Sequence, residues 1–218
     1  MDRFNNINNP DAFERIFQGP LNWVNLVIIA INIIFFGGMQ FLGDTKDISF
    51  MIKCGAAYTP YILQGEWYRL VTSMFIHFDS HHIFNNMLLL LFLGDMLEGI
   101  IGKWRYLLVY LGGGIAGNLL SLYMDCRSGN MPVSAGASGG VYAVIGGIVA
   151  VLILNKGRIQ ELNISRVIFV AMLSLYHGYQ STGIDNAAHL GGFIGGTCIC
   201  LLICSLAHLF NGRNHQIL

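Results

Sequence analysis

Long stretches of this chain carry no charge at all, and that dictates the solvent it folds in. Residues 16–43, 106–124, 128–155, 167–184 and 186–212 contain no Asp, Glu, Lys or Arg. A helix needs about 20 apolar residues to cross the hydrocarbon core of a bilayer, and each run supplies one of roughly that length. Residues 81–101 (HHIFNNMLLLLFLGDMLEGII) are apolar apart from their His and Asn residues and the acids Asp95 and Glu98, and count as a sixth span. The blocks are rich in Leu and Ile, which argues for helices. A transmembrane barrel would show short alternating segments instead. The expectation is an all-α membrane protein of six transmembrane helices. It is a single domain over residues 1–218, with a short polar segment at 1–20 and spans between about 21 and 210.

Composition agrees with this solvent. Charged residues make up 11% of the chain, against about 25% in an ordinary soluble domain. The formal net charge is zero, which gives nucleic acid no basic surface to bind. The opening residues (MDRFNNINNPDAFERIFQGP) are polar and lack a basic start followed by an apolar core, so no cleavable signal peptide is expected. With six spans both termini share one side. That side holds eight basic residues (Arg3, Arg15, Lys103, Arg105, Lys156, Arg158, Arg166, Arg213) and the other holds four (Lys46, Lys53, Arg69, Arg127). Basic residues favour the cytoplasmic face, which puts both termini inside and the connection from Asp44 to about Phe75 outside. Cys54 and Cys126 both fall on the outer side, and their pairing is left open. Free Cys198, Cys200 and Cys204 are ordinary small apolar residues of a span. No Cys or His spacing suggests zinc, so no metal and no cofactor are expected.

Ionisable groups at membrane depth are costly and point to function. Three segments bring such groups, or a hydroxyl, to the outer part of the spans: His77-Phe-Asp-Ser-His-His-Ile-Phe-Asn-Asn86, the stretch around Ser138 in SAGASGG, and Asn186-Ala-Ala-His-Leu-Gly-Gly192. His82 and Asn86 are four apart and share a helical face. Gly139, Ala143 and Gly147 form one small-residue stripe, and Ala188, Gly192 and Gly196 form another, with Gly191 and Gly195 beside it. Such stripes let helices approach closely in lipid. If the two stripes face each other, Ser138 and His189 lie beside the contact. A serine hydroxyl needs an adjacent base to become a nucleophile, and His189 is suited to take its proton near neutral pH. The oxyanion formed on attack needs preorganised donors. The Ser138 backbone N–H, the Asn86 amide and His82 are the candidates. Packing glue at Ser138, an interhelical hydrogen bond at His189 and a span link at His82–Asn86 are the plain alternatives. Asp185, four residues before His189, is a possible orienting acid. His77 and His81 read as interfacial, and Asn118 as an interhelical hydrogen bond. His208 and His215 read as unrelated to the site. Gly136-Ala137-Ser138-Gly139-Gly140 also fits G-x-S-x-G, but that elbow has meaning only between a strand and a helix.

Taken together these residues resemble the rhomboid intramembrane serine proteases. The family's G-x-S-G stands as Gly136-Ala137-Ser138-Gly139, its H-x-x-x-N as His82 to Asn86, and its A-H-x-x-G as Ala188-His189-Leu190-Gly191-Gly192. Glu66-Trp67-Tyr68-Arg69 resembles the loop element ahead of the second span, and Glu98 also matches. The resemblance implies a six-helix rhomboid bundle with a Ser138–His189 dyad and no third acid. His82, Asn86 and the Ser138 amide would form the oxyanion hole, and Tyr142 would pack on the His189 ring. A lateral gate would lie around Val167 to Tyr179. Substrates would be transmembrane proteins in the bilayer, cut near the outer end of a span, and the setting a bacterial plasma membrane. A transporter would more often show an internal repeat. A non-catalytic binding protein or chaperone would not need serine, base and oxyanion donors together.

Overall fold

The computed structural model describes residues 22–156, 158–159, 162–165, 167–168, 172 and 184–210. The polar segment 1–20, most of the expected fifth span and gate, Arg166, Arg213, His215 and the His208 side chain lie outside the described residues. In chain order the elements are α1 (Trp23–Leu42), α2 (Ile48–Lys53), β1 (Ala57–Tyr58), α3 (Thr59–Leu63), α4 (Arg69–Thr72), α5 (Ser80–Ile101), α6 (Lys103–Ser128), β2 (Val133–Ser134), α7 (Ser138–Leu154), β3 (Arg158–Ile159), β4 (Leu162–Asn163) and α8 (Asn186–Phe210). Among the described residues, four helices (α1, α5, α6 and α8) are long and apolar enough to cross a membrane, and α7 is a shorter apolar helix. The chain is a multi-pass membrane protein built as a helical bundle. The strands among the described residues are confined to two two-residue antiparallel ladders in the connections.

Helix α7 is the centre of the bundle. Every residue from Gly139 to Leu152 is buried, as expected of a helix apolar on all sides. In lipid, apolar packing lacks the solvent drive that water supplies, so close approach and interhelical hydrogen bonds hold helices together. The inner half shows such bonds. Buried Glu98 of α5 accepts from the first free N–H groups of α1, with Val24 N–H at 3.2 Å and Asn25 N–H at 2.7 Å. These donors have no carbonyl of their own helix to meet. Asn25 donates to the Leu90 carbonyl at 2.9 Å and accepts from the Tyr106 hydroxyl at 2.6 Å. Leu90 begins a π-turn (Leu90–Gly94) inside α5, so Asn25 meets a carbonyl where the regular ladder is broken.

The outer connection is a folded layer. Its β1 pairs with β2, Ala57 opposite Ser134 and Tyr58 opposite Val133, which ties it to the strand leading into α7. Arg69 anchors the layer. Its guanidinium donates to the Ile52 and Ala56 carbonyls at 2.7 and 2.8 Å, and Nε donates to Glu66 at 2.7 Å. The Tyr68 hydroxyl and then Arg69 hold the Glu66 carboxyl below its usual range. Asn118 joins α6 to the same layer, donating to the Leu70 carbonyl at 2.8 Å and the Ser73 hydroxyl at 3.0 Å. Cys54 and Cys126 are free thiols.

Glu98→Ala would leave two buried N–H groups of α1 without acceptors. Each such loss costs about 1–3 kcal/mol. The detergent-solubilised variant is expected to unfold at a clearly lower temperature than wild type; an unchanged midpoint would contradict this anchoring role.

Candidate active site

The backbones of α7 and α8 touch where the small residues fall. A side chain at Gly192 would overlap the Gly139 carbonyl, and one at Gly196 would overlap Ala143. The two stripes therefore face each other at 139/192 and 143/196. Gly147 departs from the expected stripe: a Cβ there would stand 2.6 Å from Leu97 of α5, while Gly146 meets Phe193 and Thr197 of α8. Gly191 and Gly195 face α6, against Leu120 and Ala116. Helix α6 also enters the contact with Gly113 beside Ala143 and Gly196, and Gly117 beside Ala188 and Gly192. The meeting point is thus a three-helix junction rather than a pair.

Ser138 begins α7 and His189 lies in the first turn of α8, on either side of that junction. A Cβ on Gly139 would stand 3.8 Å from the Ala188 carbonyl, so the neighbours of the two residues are in contact. Helix α7 has 17 residues, or about 25 Å. That is shorter than the roughly 30 Å hydrocarbon core, so the helix does not by itself span it. Tyr142, one turn after Ser138, stacks on the His189 ring with centroids 4.3 Å apart and planes at 16°. His189 is buried and Ser138 half-buried.

Asp185 does not serve the His189 ring. Its Oδ1 accepts from the Ala188 N–H at 2.9 Å and its Oδ2 from the Ser121 hydroxyl at 2.6 Å. It is the N-terminal cap of α8. His189 Nδ1 has no hydrogen-bond partner among the described residues, and ring stacking on Tyr142 holds the imidazole in place of an acid.

The other side of Ser138 is built by the loop before it. Gly136 has φ +138°, a conformation only glycine adopts freely, and a Cβ there would collide with the His82 ring at 2.6 Å. The same position lies 3.7 Å from the Asn86 amide nitrogen. His82 and Asn86 thus stand against the residues immediately before the candidate nucleophile. The Gly136 N–H donates to the Ser73 carbonyl at 2.9 Å, locking the loop to the outer layer. A narrow recess lies between the outer layer and α6, with Thr59, Asn118, Ser121, Asp125 and Ser134 among its lining residues.

His77 is where sequence reasoning erred. It is fully buried rather than interfacial, and its Nε2 accepts from the Ala137 N–H at 3.2 Å and meets the Asn86 amide at 3.1 Å. His81 is exposed and pairs with Asn85, as an interfacial residue would. The missed signal was spacing: His77 precedes His82 by five residues and lies outside the helix, so no helical-face argument reached it. Burial holds the His77 imidazole at about 3, far below its ordinary 6.5, and the His82 ring adds to the effect.

The sequence is matched by known proteins. The Rhomboid domain family matches residues 64–206. Rhomboid protease GluP of Bacillus subtilis (strain 168) is 30% identical over 181 residues, covering 83% of this chain and 35% of GluP. Rhomboid protease AarA of Providencia stuartii is 29% identical over 215 residues, covering 88% of this chain and 76% of AarA. The putative rhomboid protease YdcA of Bacillus subtilis (strain 168) is 30% identical over 146 residues, covering 66% of this chain and 71% of YdcA. The chain therefore spans about a third of GluP and about three quarters of the other two.

The neutral His77 has a consequence for stability. The unfolded chain takes up a proton below the ordinary imidazole value of 6.5, and the folded chain resists it down to about 3. Stability is therefore complete above the first value and falls as pH drops toward the second. The unfolding midpoint in detergent is expected to be lower at pH 5 than at pH 7.5, with a smaller difference in His77→Gln. A midpoint independent of pH over that range would contradict the assignment.

Proposed function

The chain belongs to the rhomboid family of intramembrane serine proteases, and we propose that it cuts transmembrane protein substrates near the outer end of a span through a Ser138–His189 dyad. The observation that carries this is the junction of α7 and α8. Backbone contact at Gly139 and Gly192 brings the chain beside Ser138 to the chain beside His189, and the Tyr142 ring stacks on the imidazole, which supports the pairing.

In the proposed reaction His189 takes the Ser138 proton as Oγ attacks the scissile carbonyl. The oxyanion is met by the Ser138 N–H, the Asn86 amide and His82. The Ala137 N–H is already given to His77, which leaves the Ser138 N–H as the free backbone donor at the helix start. His189 then passes its proton to the leaving amine. Water, activated by the same imidazole, releases the acyl group.

A peptide bond inside a helix is shielded because its carbonyl is hydrogen-bonded. Substrates with small or helix-breaking residues near the outer end of a span are therefore preferred. Irregular backbone is tolerated at that depth only within protein or beside a wet cavity, which is what the loop before Ser138 provides. The remaining parts of the proposal are six spans in one membrane domain, both termini cytoplasmic, entry past the fifth span and a bacterial plasma membrane. Ile48, Leu63, Trp67 and Tyr68 expose apolar surface on the outer layer, which supports its resting in the interface. The named relatives are proteases, and this sets aside the binding-protein reading.

Purified protein is expected to cleave a model transmembrane substrate. Ser138→Ala and His189→Ala are each expected to abolish that cleavage. Asn86→Ala is expected to lower kcat by about 10²–10³, the usual cost of one oxyanion donor. Wild-type rates in either dyad variant would overturn the proposal.

A further inference from the structure

Outside the dyad and the oxyanion donors, one buried side chain touches both side-chain donors of the hole and the residue before Ser138. His77 packs edge-on against the His82 ring with centroids 5.0 Å apart, meets the Asn86 amide nitrogen at 3.1 Å, and receives the Ala137 N–H at 3.2 Å. Ala137 directly precedes Ser138. We propose that His77 is a positioning residue of the oxyanion hole, a bare Nε2 acceptor that aims the Asn86 amide hydrogens and holds the turn before Ser138.

One donor at His77 cannot be reassigned. A backbone N–H always donates, so the Ala137 N–H requires a lone pair on Nε2. The neutral ring then carries its proton on Nδ1. That choice settles the Asn86 amide as well, because an amide's oxygen and nitrogen are told apart only by their partners. Facing a lone pair, the NH₂ group must point at His77. One of its hydrogens is used there, and the second remains for the oxyanion. With the ring turned to its other tautomer, Nε2–H would confront the Ala137 N–H, and Asn86 would turn its oxygen toward the ring.

The arrangement has a cost that packing alone does not explain. His77 Nδ1 is buried with no partner among the described residues, and a stranded donor of this kind is unfavourable. A histidine kept only to fill space has no reason to strand a donor. One kept to present Nε2 does.

The proposal rests on the Ser138–His189 reading and is tested in the same cleavage assay. His77→Met removes the acceptor at similar size, and His77→Gln restores one near the place of Nε2. His77→Met is expected to lose about 10²-fold in kcat with KM changed little, and His77→Gln to recover most of it. Combined with Asn86→Ala, His77→Met is expected to add less than its own single loss, because the Asn86 contact is already gone and only the Ala137 bond remains to be removed. Unfolding midpoints are read alongside. If His77→Met does not fold, His77→Asn, too short to reach Ala137, replaces it in the cycle. Wild-type kcat in the acceptor-less variant, or losses that multiply in the double variant, would overturn the role of His77 alone. Cleavage by Ser138→Ala would instead overturn the dyad and this proposal with it.

Discussion

Everything at the site depends on two backbones touching. Where α7 and α8 cross, glycine on one helix meets carbonyl on the other at 139/192, and glycine meets Ala143 one turn deeper. In lipid this contact cannot be driven by escape from water. It is favoured because helices without side chains at the crossing gain dispersion over their whole length. A methyl group at Gly192 or Gly196 would push the helices apart. Ser138 and His189, one residue from the contact on each chain segment, would then separate with them. The chemistry thus inherits its geometry from the absence of side chains beside it.

The outer layer supplies the second half. Arg69 holds the long connection through two carbonyls, the β1–β2 ladder carries that order to residue 134, and the Ser73 carbonyl takes the Gly136 N–H. His77 completes the chain at Ala137. The loop that presents the serine is therefore pinned on three successive sides before its helix begins. Helix α7 itself is short and buried from Gly139 to Leu152, so the helix start can sit below the surface without exposing unsatisfied backbone to lipid.

Much of this was legible in the residues. Uncharged runs reveal spans because charge in hydrocarbon is costly, and they located α1, α6, α7 and α8, while α5 was read as a span despite Asp95 and Glu98. Small residues four apart announced the α7–α8 contact. The periodicity did not say which third helix would join, so Gly113 and Gly117 of α6 went unread, and Gly147 was assigned to the wrong face. Local spacing works within one helix and fails between elements. That is why His77, which acts across a loop and a span start, looked interfacial. Asp185 looked like an orienting acid by spacing alone, but a carboxylate at the start of a helix is claimed by free N–H groups. The π-turn at Leu90 had no sequence signal that period or composition carries.

The central claim is that Ser138 is a nucleophile activated by His189. Reaction of the purified protein with a fluorophosphonate, followed by peptide mass spectrometry, tests it without reference to any substrate. The account predicts a single adduct on Ser138 in wild type and loss of that adduct in His189→Ala with the fold retained. An unlabelled wild type that still cleaves a transmembrane substrate, or equal labelling of Ser138 when His189 is gone, would contradict it.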